Sequence, residues 1–113
     1  MHEMGIAQNI LDIVLEAANR EGAKKISRID LVSGELRGIV PMQLTFCFGI
    51  VSQNTIASGA YLNVEESPVT ARCEECSADF KVEDYVYLCP KCGGAKVKVT
   101  GGTELRVKDI EIE

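Results

Sequence analysis

Between Met4 and Asn19 apolar residues return at helical intervals. Ala7, Ile10, Leu11, Val14, Ala17 and Ala18 fall on one stripe, which predicts an amphipathic helix over 4–19. Gly22 stands just past the last of them, where a left-handed C-terminal cap is expected. The period then changes. Residues 25–33 are rich in β-branched side chains, with Ile29 and Leu31 on one face, and predict a strand. A connection marked by glycine and proline leads to Pro41, well suited to the first turn of a second helix running to about Asn54. Its apolar stripe is Leu44, Cys47, Phe48 and Val51, so Cys47 is expected as a buried thiol. Ala60, Leu62 and Val64 alternate as in a strand, and strand character resumes at 69–72 after Pro68. At the end Leu105 and Val107, then Ile110 and Ile112, alternate with a slip of phase at Lys108 and Asp109, which predicts a bulge.

This order predicts an α+β fold, a small sheet of about three strands with two helices on one face, the simplest packing that buries both stripes. A cysteine-bearing segment, 73–99, interrupts it. The expected organisation is therefore one domain from residues 1–72 and 100–113, and a zinc-ribbon-like lobe from 73–99.

Composition narrows the partners. The net charge is -5, and residues 73–113 hold six basic against nine acidic side chains. No cationic face is implied, so nucleic acid is not an expected partner, because phosphate neutralisation dominates such affinity. The longest apolar run is too short to span a bilayer, and the acidic start lacks the basic region of an export signal. A cytoplasmic location follows as the expectation. In a reducing compartment paired cysteines are ligands or redox groups before they are disulfides.

Cys73 and Cys76, then Cys89 and Cys92, form two C-x-x-C pairs with twelve residues between them. The spacing is a little short of the roughly 15–20 residues common between such pairs, yet close to a zinc ribbon. Four thiolates at about 2.3 Å complete a tetrahedral shell with no open position, which makes zinc structural. Gly93 and Gly94 follow the second pair, where a tight knuckle needs backbone freedom and N–H groups can approach the sulfurs. A redox pair of the thioredoxin kind belongs at a helix start after a strand, and neither common ferredoxin spacing is present. No paired carboxylates, phosphate loop or Ser/His/Asp set marks an enzyme.

The single histidine is His2. On position alone a terminal histidine is simply solvated. The Met1 amine, the His2 amide nitrogen and the His2 imidazole can nevertheless close consecutive chelate rings on one ion. A deprotonated amide suits square-planar nitrogen coordination, that of Ni(II) or Cu(II). Glu3 adds a further backbone nitrogen and a carboxylate, although acidity at the start of a helix also serves the helix dipole.

With Met1-His2-Glu3-Met4, Gly34-Glu35-Leu36 before Val40-Pro41, Phe46-Cys47-Phe48, the two cysteine pairs and Gly102-Thr103-Glu104-Leu105, the chain resembles the HypA/HybF nickel metallochaperones of [NiFe]-hydrogenase maturation over essentially its whole length. The resemblance implies a nickel site at His2 with Met1 and Glu3, Ni(II) being carried cargo, and structural Zn(II) on Cys73, Cys76, Cys89 and Cys92. It implies a non-enzymatic carrier that works with the GTPase HypB on the hydrogenase large subunit, some relatives also serving urease maturation. Two departures stand out. Some relatives supply nickel with a second histidine, absent here, and Gly49 stands where many carry an acidic residue. The competing readings are a zinc-ribbon module that binds nucleic acid or protein without nickel, and a thiol-exchange enzyme.

Overall fold

The computed structural model describes residues 2–113, His2 by its backbone alone. The Met1 amine and the His2 imidazole, both expected nickel ligands, lie outside the described residues. Helix α1 spans His2–Arg20, strand β1 Ile26–Gly34, a 3-10 turn Glu35–Arg37, helix α2 Pro41–Val51 and strand β2 Tyr61–Ser67. Strands β3 (Thr70–Cys73), β4 (Asp79–Lys81), β5 (Val97–Gly101) and β6 (Leu105–Ile112) follow. Two three-stranded sheets result, ordered β2-β1-β6 and β4-β3-β5. Two helices with a small three-stranded sheet were expected, and so they are found. The second sheet was not expected.

The chain forms two compact units. The first comprises Met1–Val32, Ile39–Glu65 and Arg106–Glu113, the second Ser33–Gly38 and Glu66–Leu105. The second unit holds β3, which pairs with β4 and β5.

In the first unit the helical stripe is buried as its spacing dictates. Ala7, Ile10, Leu11, Val14 and Ala18 of α1 are buried, as are Leu44 and Phe48 of α2, which packs against α1, and Ile26, Ile29, Leu31 and Val32 of β1. Each large aliphatic side chain so enclosed stabilises the fold by about 1.5–3 kcal/mol. Helix α1 starts at His2, two residues before its expected start, and ends where Gly22 (φ 66°) takes the left-handed conformation. There Gly22 N–H donates to Asn19 O at 3.1 Å and Ala23 N–H to Ala18 O at 3.0 Å, closing the last carbonyls. Helix α2 stops at Val51, short of Asn54, because Thr55 Oγ1 takes the Ser52 carbonyl at 2.7 Å and turns the chain. Cys47, expected buried, is only half-buried: α2 leans on the core through Leu44 and Phe48, which leaves Cys47 at the margin of that contact. In β6 the alternation does slip, since Lys108 and Asp109 are both exposed between half-buried Val107 and Ile110. Asp109 Oδ1 accepts the Ile110 N–H at 3.0 Å there.

In the second unit β3 runs antiparallel to β4, Ala71 opposite Phe80, and to β5, Ala71 opposite Val99. The pairing skips Thr100, whose hydroxyl instead meets that of Thr70 at 3.0 Å. The core is small: Val69, Ala71 and Val82, with Phe80, Tyr87 and Val97 packed against them. A tie of short motifs completes the unit. Gly34 N–H donates to Glu104 O at 2.6 Å, Leu36 N–H to Gly102 O at 2.8 Å and Arg37 Nε to Thr103 O at 2.7 Å. The Glu104 carboxylate accepts Ser67 Oγ at 2.7 Å and Gly102 N–H at 2.8 Å. The approach of these backbones requires glycine at both ends. A Cβ on Gly34 would overlap the Gly102 carbonyl, and one on Gly102 (φ 98°) would lie 2.7 Å from Val69 Cα.

Candidate metal centre

Each C-x-x-C pair sits on a turn, and the two turns repeat one hydrogen-bond pattern. Cys73 N–H donates to Ala78 O at 2.9 Å, and Ser77 N–H returns to Cys73 O at 2.9 Å. Sixteen residues on, Cys89 N–H donates to Gly94 O at 2.9 Å, and Gly93 N–H to Cys89 O at 2.8 Å. The residue after each second cysteine lies in the left-handed region, Gly93 at φ 73° and Ser77 at φ 63°. Glycine enters that region freely, whereas serine does so at a cost of about 1 kcal/mol. Of the two glycines singled out from sequence, Gly93 carries the turn; Gly94 supplies a carbonyl to Cys89 and an N–H to the Cys92 sulfur.

The two turns bring all four sulfurs within 4.8 Å of one another. Across the turns, Cys73 Sγ lies 3.6 Å from Cys92 Sγ and Cys76 Sγ 3.5 Å from Cys89 Sγ. Metal–sulfur bonds of about 2.3 Å define a tetrahedron with edges of roughly 3.8 Å, so the spacing fits a four-thiolate ion. Cys73 and Cys89 are buried, whereas Cys76 and Cys92 face outward. The donor set is closed, with no position for a substrate.

The thiols show why a cation belongs among them. Cys89 is held down to about 7, first by the Cys92 backbone N–H against the opposing pull of burial, with help from the Lys91 N–H and the Cys76 sulfur. Cys92 is pushed up to about 12. The Gly94 N–H favours its thiolate, but the Cys73 sulfur, burial and the remaining thiols outweigh it. Cys76 is raised in the same way, the Ala78 N–H being outweighed by the Cys89 sulfur, burial and Cys73. Four anions cannot crowd together alone, and a divalent ion removes the conflict by supplying the missing positive charge. Backbone N–H groups near the sulfurs were expected at the second pair and are found there, from Lys91, Cys92 and Gly94; the Ala78 N–H that serves the first pair was the part hidden from sequence.

Of the expected nickel ligands, Glu3 is described. It lies in the first turn of α1 and lines a groove with Val40, Met42, Gln43, Phe46 and Cys47. The structure thus places the four cysteines together and leaves Glu3 outside that cluster, in the other unit. Among the described residues no helix is long and apolar enough to cross a membrane.

Fold and site together define a small α+β protein with a closed four-cysteine metal knuckle and no catalytic constellation among its described residues. The family model described as hydrogenase/urease nickel incorporation metallochaperone HypA matches residues 1–112, and the chain belongs to this family. Among curated relatives it is 43% identical to the hydrogenase maturation factor HypA of Chlorobaculum tepidum, covering 100% of both chains. It is 40% identical to hydrogenase maturation factor HypA 2 of Bradyrhizobium diazoefficiens, again over the whole of each. A solution structure of a HypA protein superposes with a TM-score of 0.77 at 26% identity, covering 100% of this chain and 97% of the other. The Helicobacter pylori nickel metallochaperone HypA shares the fold with a TM-score of 0.70 at 24% identity, over 97% and 96% of the two chains.

Proposed function

We propose that this chain carries Ni(II) at its amino terminus and delivers it in the cytoplasm to the large subunit of [NiFe]-hydrogenase, together with the GTPase HypB. Urease maturation proteins are a second class of recipient. The protein is a carrier and not an enzyme. The observation that carries the reading is the match, over residues 1–112, to a family described by nickel incorporation, in a chain whose single histidine is His2.

The Met1 amine, the His2 amide and imidazole nitrogens and the Glu3 amide form the nickel hook. Helix α1 begins at His2, so these amides belong to its first turn. The positive end of the helix dipole favours a deprotonated amide. Few contacts hold such a terminal hook, which eases transfer to a recipient. Cys73, Cys76, Cys89 and Cys92 hold Zn(II), which supplies folding energy to the second unit and no catalysis.

The test is calorimetric titration of Ni(II) into untagged protein, His2→Ala, and a variant with residues added ahead of Met1. Both changes abolish tight nickel binding while leaving one zinc per chain by elemental analysis. Unchanged affinity in both would remove this site. Binding weakens as pH falls through about 6.5, because the imidazole must be neutral to act as a ligand. The rival nucleic-acid module predicts salt-sensitive binding to DNA or RNA, which the net charge of -5 opposes.

A further inference from the structure

Summed charge implies no cationic face, but strand pairing in the second unit sorts charge by side. Side chains alternate along β3, and residues opposite one another on paired strands share a side of the sheet. One side carries Ala71 opposite Phe80 and Val99, and Cys73 opposite Val97, and it packs on the small core. The other carries Arg72 between Asp79 and Lys98, then Thr70 opposite Lys81. Arg72, Asp79, Lys81 and Lys98 are all exposed. The Thr70 and Thr100 hydroxyls meet beside them. Three cations against one acid leave this face at +2 in a chain of net charge -5, so the remainder of the chain carries -7.

The cations are poorly matched within the protein. Arg72 Nη1 stands 3.9 Å from Asp79 Oδ1, with both side chains more than half exposed. Lys81 and Lys98 form no ion pair among the described residues. Arg72 and Lys98 stand directly opposite each other, and like charges so placed destabilise a sheet. The fold alone gives no reason for that pair in a chain with 17 acidic residues. The face is also short, since β3 has 4 residues, about 13 Å of extended chain. Its ends are acidic. Glu35, Glu66, Glu83 and Asp84 line one cavity with Lys81. Beyond Lys98 the ladder continues where Glu74 N–H donates to Lys96 O at 2.8 Å, a pair of opposite charges, and Glu75 follows.

We propose that this face of the second sheet docks a short acidic segment of a partner protein. Carboxylates along an extended segment meet Lys98, Arg72 and Lys81, the guanidinium offering a planar fork and the threonine hydroxyls donating beside it. The occupant is short because the segment beyond Lys81 would meet four carboxylates, and beyond Lys98 those of Glu74 and Glu75. A nucleic acid, whose charge repeats without a break, is repelled at both ends. A protein segment can confine its acids to a few residues. This inference rests on the strand register and does not depend on the nickel site.

Fluorescence anisotropy of a labelled, end-capped peptide of four glutamates, titrated with untagged zinc-loaded protein, tests it. The expected result is saturable binding that weakens from about 0.01 M to about 0.15 M salt, as the screening length falls from about 30 Å to about 8 Å. Lys81→Glu and Lys98→Glu each weaken binding several-fold, and together about tenfold. Lys98→Arg keeps it, and Lys24→Glu, the same charge change in the first unit, leaves it unaltered. Zinc content and far-UV circular dichroism verify the fold. Lys98→Glu also raises the melting temperature, because it turns a like-charge pair with Arg72 into an opposite one. A fall in that temperature would show that the cation serves the fold and overturn the proposal. Absence of peptide binding, or an equal loss in Lys24→Glu, overturns it as well. So does an oligouridylate that binds more tightly than the peptide and is lost in the same variants, which would give the face to nucleic acid.

Discussion

The two units of this molecule solve the same problem by different means. The first encloses two helical stripes and a strand, with Ile10, Leu11, Val14, Ile29, Leu31, Leu44 and Phe48 all buried. The second has three small buried apolar residues, Val69, Ala71 and Val82, and three half-buried ones around them. A core that size cannot offset the conformational entropy of ordering its loops, which runs to about 1–2 kcal/mol per residue for the backbone alone. Its stability must come from bonds stronger than apolar contact, namely the four-cysteine cluster and the hydrogen-bonded tie of Gly34–Arg37 with Gly102–Glu104. Burial organises one unit; ligation and hydrogen bonding organise the other.

The largest expected effect breaks that contrast at the metal. Chelation, or Cys89→Ser, removes binding energy on the order of 10 kcal/mol from the second unit. Amide resonances of Ala71, Phe80 and Val97 should lose dispersion, while those of α1 and β1 keep theirs. Loss of both sets together would show that the units do not differ as described. Next, Ile29→Ala leaves a cavity in the first unit and should cost about 2–5 kcal/mol in denaturant unfolding, with one metal per chain retained. Gly34→Ala drives a Cβ into the Gly102 carbonyl and should cost about 1–3 kcal/mol, read as easier melting of the second unit.

The smallest effect concerns pH. The Ser67 hydroxyl, with the N–H groups of Glu104 itself, Gly102 and Thr103, holds the Glu104 carboxyl down to about 2, against the opposing pull of burial. A depressed carboxylate stabilises the fold fully above its unfolded pKa of about 4.3, and the contribution fades as pH falls through about 2. Glu104→Gln should therefore melt earlier than wild type at pH 7 and converge with it near pH 2. Parallel melting curves across that range would leave Glu104 without this role.

Much of the first unit was legible because its signals are local. The stripe of α1 and the proline opening α2 each specify an element within a few residues of themselves. The cysteine pairs were equally plain, since their spacing is the ligand geometry written along the chain. Strands β4 and β5 were harder. Each is three to five residues long, and Val97, Lys98, Val99 and Thr100 alternate weakly next to glycines. The pairing of β5 to β3 depends on residues some thirty positions apart, which no local period can express. Gly34-Glu35-Leu36 and Gly102-Thr103-Glu104-Leu105 stood out only as family-like motifs, because a mutual backbone tie leaves no spacing signature. Cys47 shows the complementary error. Its place on a helical stripe said inward, but α2 is apolar all round, so periodicity could not tell which side meets the core.

The repeated turn at Cys73–Ala78 and Cys89–Gly94 gives the cluster the character of a calliper with two preformed jaws. Each jaw keeps its own backbone bonds whatever the gap between them, so the opening can adjust to the radius of its contents by moving the jaws as rigid pieces. A larger thiophilic ion such as Cd(II) should therefore be gripped without unravelling either turn, and Co(II) should report the same tetrahedral field in its visible spectrum.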